Sequence, residues 1–534
     1  METETFDIVI IGAGSAGCAL AGRLSESGQY SVALLEAGPK DANPWIHLPI
    51  GYAKTMWNKR LNWSYYTEPD DNMLGRKIYW PRGKVLGGCS SINGLIAIRG
   101  QKEDYDHWRD LGNPGWSYQD VLPYFIRLEN NDLLESGLLH GKSGPLPVTS
   151  IKARHELIEM VIAASEKLGL RRTADFNGHN QEGAGYYQLT IRNGLRCSAA
   201  KAYLKPAAKR QNLRVVTGAQ ATRVLFDGHR ATGVACRVDG VETVFQARRM
   251  VVLSAGALQS PQLLMLSGIG PGTELAKHAI PVLADRPSVG RNLQDHLQIR
   301  LIYRMRRPIT TNDQLRTWFG QIKLGMQWML TRSGPLAVGI NQGGIFVRVL
   351  PESATPDVQF HVATLSADMA GGKPHPFSGC TLSVCQLRPE SRGEVRLASA
   401  DPFAAPLIYS NYLSSEADRR CVTAAIAFAR RLAATEPLKG EIAEEFLPGP
   451  KAVNDTDLLH FAQEYGATIF HPSGTCRMGS DDAAVVDSRL RVRGVEGLRV
   501  VDCSIMPTLV SGNTNLPAIM IAEKASDIIK EDLK

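Results

Sequence analysis

Six residues near the start, Gly12-Ala13-Gly14-Ser15-Ala16-Gly17, constrain the fold more than any other stretch of this sequence. They follow the β-rich run Phe6-Asp7-Ile8-Val9-Ile10-Ile11 and lead into Cys18 to Ser27, whose alanines, leucines and Arg23 read as a helix. Glycine at the first, third and sixth positions removes the side chains that would keep a phosphate away from the amides of a helix start. A second strand, Tyr30 to Leu35, runs into Glu36, 19 positions beyond Gly17 (36 − 17). A carboxylate there accepts hydrogen bonds from ribose hydroxyls and repels a 2′-phosphate. Strand, turn, helix and strand in this order predict a dinucleotide-binding unit, with Gly12, Gly14, Ser15, Ala16, Gly17, Glu36 and Ala37 around an adenosine pyrophosphate. A tight turn and an exposed strand-end acid are the plainer alternatives, and the joint spacing favours the nucleotide.

The loop does not choose between NAD and FAD, which present the same adenosine pyrophosphate. With 534 residues the chain is too long for one core and has room for a cofactor and a separate substrate pocket. Its net charge of +7 is scattered among mixed-sign stretches, which argues against nucleic acid as a partner. Nine cysteines, an odd number without zinc or redox spacing, suit a reducing compartment. The acidic start Met1-Glu2-Thr3-Glu4-Thr5 does not read as a signal peptide, and no apolar run reaches the roughly 18 residues of a membrane span. The expected location is cytoplasmic, and a homodimer is compatible with everything in the sequence.

Residues 37 to 100 read mostly as loop, broken by Pro44, Pro49, Pro69 and Pro81. Asn212 to Ala221 and Met250 to Ser254 read as strands that rejoin the first sheet, the second turning into an apolar helix through Leu266. From Leu301 to Gln463 the pattern changes to strands such as Val358 to Val362 and Glu394 to Leu397, with a helix over Glu416 to Thr435. Leu498 to Asp502 returns to strand and Leu516 to Ile529 closes with a helix. The expected fold class is mixed α/β: a Rossmann-like cofactor domain in three pieces (1–150, 212–300, 465–534), and a substrate domain (151–211, 301–464) with an antiparallel sheet flanked by helices.

Four later blocks bear on the cofactor. Gly83-Lys84-Val85-Leu86-Gly87-Gly88-Cys89-Ser90-Ser91-Ile92-Asn93, continuing through Leu95 to Arg99-Gly100, holds paired glycines that let the backbone pass close to a flat ring. Gly256 to Gly270 carries Ser260-Pro261, suited to N-cap and first turn, and glycines that stop the helix. Phe470-His471-Pro472-Ser473-Gly474-Thr475-Cys476-Arg477-Met478-Gly479 offers a histidine. Asp502 to Pro507, with Ser511-Gly512-Asn513-Thr514-Asn515-Leu516-Pro517, offers an acid and two asparagines. Spread over nearly the full length, these blocks resemble the glucose-methanol-choline (GMC) family of flavin oxidoreductases, in its choline and alcohol dehydrogenase branch.

The resemblance implies FAD. It places Val85, Gly88, Asn93 and Leu95 near the cofactor, the main chain of Val224 at the adenine, and Asp502 and Asn515 toward the ribityl or pyrophosphate. Ile92 stands where some members carry a flavin-linked histidine, so the FAD is expected to be noncovalent. The implied chemistry is oxidation of a primary alcohol to the aldehyde: His471 accepts the hydroxyl proton, hydride passes to flavin N5, and Asn513 holds the alkoxide. Electrons then go to a quinone, another carrier or oxygen. An NAD-dependent dehydrogenase shares only the N-terminal loop, and a non-redox flavoprotein of the same fold, a lyase or photodecarboxylase, shares every block. Cys476 and Cys503 lack an activating motif, and neither a zinc-protease pattern nor a hydrolase elbow occurs, so no metal is expected. Trp318, Phe319, Trp328 and Phe346 favour an uncharged or aromatic alcohol over a cation such as choline.

Overall fold

The computed structural model describes residues 2–133, 138–369 and 371–534. The strands of its two large sheets are, in chain order, Glu2–Ile11 (β1), Val32–Glu36 (β2), Gly183–Tyr186 (β3), Leu213–Thr217 (β4), Ala219–Asp227 (β5), Arg230–Val238 (β6), Val241–Leu253 (β7), Leu297–Met305 (β8), Asn341–Val347 (β9), Val358–Ala363 (β10), Gly379–Gln386 (β11), Ile442–Leu447 (β12), Ala467–Thr468 (β13) and Leu498–Val500 (β14). Helices Ser15–Leu24 (α1), Gln259–Leu266 (α2), Trp318–Thr331 (α3), Glu416–Ala433 (α4) and Asn515–Asp532 (α5) frame them.

The first sheet is ordered β4-β2-β1-β7-β6-β5, with β14 beside β7. β1 lies parallel to β2 and β7, β4 parallel to β2, and β14 parallel to β7; β5 and β6 form an antiparallel ribbon. Parallel strands are covered on both faces, which is why the Ile8-Val9-Ile10 run and β2 are wholly apolar until Glu36. The stretch expected as one strand from Asn212 to Ala221 is two. Gly218 turns at φ +72°, ending β4 and starting the antiparallel ribbon.

α1 packs on α5, so the first and last helices are neighbours. Glu523 of α5 is fully buried and accepts Arg23 Nε at 2.9 Å, Arg127 Nε at 2.7 Å and the Tyr203 hydroxyl at 2.7 Å. A buried carboxylate is costly unless its lone pairs are filled, and these three donors fill them. The lock sets the start of α5 beside the glycine loop, where Ser15 Oγ donates to Asn515 Oδ1 at 2.8 Å.

The second sheet is antiparallel, ordered β12-β8-β11-β10-β9-β3 with β13 beside β8. Its period-two alternation separates two faces. Ile299, Leu301, Leu382, Val384, Phe360 and Val362 join the apolar cluster that Val422, Ala425, Ile426 and Ala429 of α4 complete. Gln298, Arg300, Thr381, Ser383, His361 and Ala363 point the other way, into a cavity. The mixed α/β class expected from the sequence is found, with a parallel nucleotide-type sheet and an antiparallel second sheet. Glu394–Arg396 differs: it pairs only with Leu407–Tyr409 in a small separate sheet. Among the described residues, no helix is long and apolar enough to cross a membrane.

Candidate active site

A cavity of about 1120 Å³ lies between the two sheets. Ligand pockets are usually about 300–1,000 Å³, so this one has room for a large cofactor and more. Of the residues assigned to a cofactor from the sequence, Gly12, Gly14, Ser15, Ala16, Glu36, Ala37, Gly88, Asn93, Leu95, Asp502 and Asn515 line it together. Three do not. Gly17 packs inside the loop, where a Cβ would sit 1.9 Å from the Gly12 carbonyl oxygen. Val85 is buried in a small cluster with Ile46, Leu61 and Ile92. Val224 lies further along β5, its N–H given to Ser267 Oγ at 2.9 Å; Ala219, Gln220 and Ala221, at the start of that strand, form the wall instead.

The nucleotide side is shaped by backbone. Gly88, at φ +52°, crosses over Gly14 so closely that a Cβ on it would meet the Gly14 Cα at 2.6 Å. The Gly87 N–H donates to the Ala13 carbonyl at 2.8 Å, fastening the two glycine segments together. Glu36 accepts the N–H of Ala13 at 3.0 Å and of Gly38 at 2.8 Å. Burial raises its carboxyl to about 7, against the pull of those two donors. Each oxygen keeps a second lone pair for a ribose hydroxyl. Asp502 follows β14 and accepts from Gly256 N, Ser260 Oγ and Ser504 N at 2.9, 2.6 and 2.8 Å.

His471 is placed by strand pairing. Gln294 and Ser473 exchange backbone hydrogen bonds of 3.0 and 2.9 Å, so two residues onward in one segment and two back in the other bring His296 opposite His471. Nδ1 of each ring meets Nδ1 of the other at 3.0 Å, and His296 Nε2 lies 2.9 Å from the Leu387 carbonyl. The His471 main-chain N–H donates to Asp295 Oδ1 at 2.7 Å, and Tyr412 holds the other oxygen of that carboxylate. On its far side His471 Nε2 is 3.2 Å from Asn513 Nδ2. Asn513 Oδ1 accepts from Gln359 Nε2 at 3.0 Å; Gln359 Nε2 also donates to the Tyr187 oxygen at 2.9 Å, and the Tyr187 hydroxyl donates to the Phe360 carbonyl at 2.6 Å.

The direction of this chain follows from its ends. A carbonyl only accepts, so His296 carries its hydrogen on Nε2. Burial lowers His296 to about 4, so it is neutral and its Nδ1 is a bare acceptor. His471 must then donate from Nδ1. Burial first, then the neighbouring His296, His361 and Arg82, hold the His471 imidazole well below its usual value, so its Nε2 is a bare lone pair. At the other end Gln359, itself bonded to Tyr187, draws the Asn513 oxygen toward it and leaves the NH₂ toward His471. The cavity therefore meets a basic nitrogen flanked by an amide donor.

His471 and Asn513 both line the cavity, as the sequence led one to expect, and Asn515, also in its wall, accepts from Ser15 Oγ. His296, Gln359, Asp295 and His361 were not foreseen. They lie on strands or loops with no local motif, and pairing across the second sheet alone brings them to the site. The four aromatics used to judge the substrate do not line the cavity: Trp318 and Phe319 are exposed on α3, Trp328 donates to the Gly194 carbonyl, and Phe346 is in the apolar core.

The nucleotide side fits FAD. The Cβ directions of Gly14, Gly94 and Gly256 open into the cavity with nothing within 4 Å, a cradle that any side chain would fill. α1 begins there with no acid in its first turn, leaving its amides and dipole for a pyrophosphate. The sequence matches two family models, each described as GMC oxidoreductase, over residues 6–298 and 389–522. It is 41% identical over 98% of its length to the alcohol dehydrogenase [acceptor] of Pseudomonas putida, covering 95% of that protein. It is 42% identical over 98% of its length to an oxygen-dependent choline dehydrogenase of Brucella anthropi, covering 95% of it. A solved formate oxidase of Aspergillus oryzae RIB40, a variant studied for its FAD modification, superposes with a TM-score of 0.92 at 27% identity, over 100% of this chain and 99% of that one. The chain belongs to the GMC oxidoreductase family and is an FAD-dependent oxidoreductase.

Proposed function

We propose that this enzyme, which acts on CH–OH donors, oxidises a primary alcohol to the aldehyde with His471 as general base, and holds its FAD without a covalent bond. The observation that carries the reading is the bare Nε2 of His471 beside the NH₂ of Asn513. An alcohol oxygen set between them donates its proton to Nε2 and accepts from Asn513. As the O–H bond breaks, the electron pair left on oxygen forms the carbonyl while the carbon loses hydrogen with its bonding pair. Bound FAD supplies the two-electron acceptor for that hydrogen. The imidazolium formed at His471 is stabilised through its Nδ1 hydrogen bond to His296, and Asn513 offsets the developing oxyanion charge. Ile92, in the cavity wall, offers no nucleophile for a link to the cofactor.

The relatives' names point the same way, one to an alcohol with a separate acceptor and one to choline with oxygen. Steady-state screening of alcohols under oxygen and under an artificial acceptor identifies the electron carrier. The direct test is His471→Ala: anaerobic flavin reduction slows about 10²- to 10⁴-fold, while acid precipitation still releases the full complement of FAD. Unchanged reduction kinetics in that variant remove His471 from the chemistry.

A further inference from the structure

Among the described residues, the arginines packed around the cavity are held by acceptors, while a half-buried one in its wall is not. Arg196 donates to the Ile46, Ser90 and Asn93 carbonyls and to Asn93 Oδ1. Arg99 is paired with Glu129, and Arg82 donates to the Pro81 and Phe470 carbonyls. Arg300 lines the cavity, and among the described residues it forms no ion pair and no hydrogen bond. Burial draws it down to about 10, which still leaves it cationic at neutral pH. A half-buried guanidinium in a cavity wall with no acceptor of its own leaves its fork of donors free for an anionic ligand.

Its position relative to the chemistry is set by register. Arg300 of β8 stands opposite Ser383 of β11, and Ser383 opposite His361 of β10, so the three side chains form one row on the cavity face. The next row is Gln298, Cys385 and Gln359, and Gln359 holds Asn513. Two strand spacings, about 10 Å, separate the Arg300 and His361 backbones, and the arginine arm covers much of that span.

The rest of the lining agrees in sign. Its carboxylates among the described residues are Glu36 and Asp502, both on the nucleotide side and both holding main-chain N–H groups. Two tryptophans in the wall already carry cations: Lys54 Nζ lies 3.7 Å from the Trp45 ring centre and Lys84 Nζ 4.2 Å from that of Trp63. A quaternary ammonium group would meet positive charge here and no counter-ion.

We propose that Arg300 binds a carboxylate of the substrate, so that the alcohol this enzyme oxidises is a hydroxy acid whose anion sits in the Arg300–Ser383–His361 row while its CH–OH carbon lies at His471. The inference rests on the alcohol-oxidising reading above. A guanidinium receives a carboxylate through two parallel hydrogen bonds, which fixes orientation as well as charge.

The test compares 4-(hydroxymethyl)benzoate, 4-methylbenzyl alcohol and choline with the holoenzyme, and repeats it in Arg300→Met and Arg300→Lys. The wild type should prefer the carboxylate over the neutral alcohol by about 10- to 100-fold in kcat/KM, the range of a hydrogen bond to a charged group. Arg300→Met should abolish that preference while leaving the neutral alcohol within about twofold, and Arg300→Lys should retain part of it. Benzoate, titrated against the flavin absorbance without turnover, should bind about 10- to 100-fold more weakly to Arg300→Met. The melting temperature of that variant should not fall, because an unpaired charge has been removed. Equal kcat/KM for the first two substrates in the wild type, faster turnover of choline, or benzoate binding indifferent to Arg300 overturns the proposal. Arg300-dependent benzoate binding in an enzyme that no alcohol reduces sinks the alcohol-oxidising reading and leaves the anion site standing.

Discussion

His296 touches neither substrate nor cofactor in the geometry above, yet it decides which nitrogen of His471 is basic. Replacing it with leucine removes the acceptor 3.0 Å from His471 Nδ1. The Nδ1–H is then buried without a partner, at a cost of about 1–3 kcal/mol. Moving the hydrogen to Nε2 relieves that cost and destroys the base. The tautomer that can accept a proton therefore loses ground by the same amount, which at room temperature is about 5- to 150-fold. Asn513 opposes the shift, because its NH₂ would face a second donor, and Gln359 keeps it from turning over. His296→Leu should accordingly slow anaerobic flavin reduction by about 5- to 150-fold in stopped-flow, with FAD still bound. His296→Asn returns an oxygen close to the lost Nδ1 and should recover most of the rate, which a purely structural role for His296 would not predict. Reduction by the leucine variant within twofold of wild type, or an asparagine variant no faster than leucine, would refute the tautomer reasoning.

Gly88→Ala puts a methyl group 2.6 Å from the Gly14 Cα at a φ of +52°, so the two glycine segments must part; the purified variant should carry little flavin, read from its 450 nm absorbance per protein, and full occupancy would show that the crossing is slack. Acid stability has a predictable sign. Burial lowers His361 to about 3, so between pH 6.5 and that value the unfolded chain binds a proton there that the folded chain does not, and stability is lost as pH falls. Between pH 6 and 5, urea denaturation of His361→Gln should show a pH slope shallower than wild type by about 1.2 kcal/mol per unit; identical slopes would mean that His361 charges freely in the folded protein.

What was legible in the sequence was local. The glycine loop, the strand before it and the helix after it are contiguous, and Gly12, Gly14, Ser15, Ala16, Glu36 and Ala37 line one cavity. Gly88, Asn93, Leu95, Asp502, His471 and Asn513 are legible only through the resemblance of their blocks to the GMC family, since a lone histidine or asparagine in a loop does not announce a role by itself. Val224, placed at the adenine by the family resemblance, gives its N–H to Ser267 Oγ, and Ala219 to Ala221 at the start of the same strand line the cavity instead. The charge that bears on the substrate was illegible for another reason. Arg300 reads as one more cation in a chain with +7 net charge, and only the fold sets it in a cavity-facing row with Ser383 and His361, without an ion pair or hydrogen bond among the described residues.

The same distinction separates the two halves of the site. Cofactor binding rests on absences, glycines whose missing side chains admit a ligand, and absences of that kind appear wherever glycine is written. Proton abstraction rests on direction, and direction is fixed by two backbone carbonyls, of Leu387 and Phe360, at opposite ends of a chain of five side chains. Neither carbonyl has any sequence signature, since every residue carries one. A substitution that leaves His471 and Asn513 intact but displaces either anchor changes the polarity of the whole chain. Mutations on β10 and in the segment after β11 should therefore affect the rate of flavin reduction more than FAD content, whereas those in the glycine segments should do the reverse.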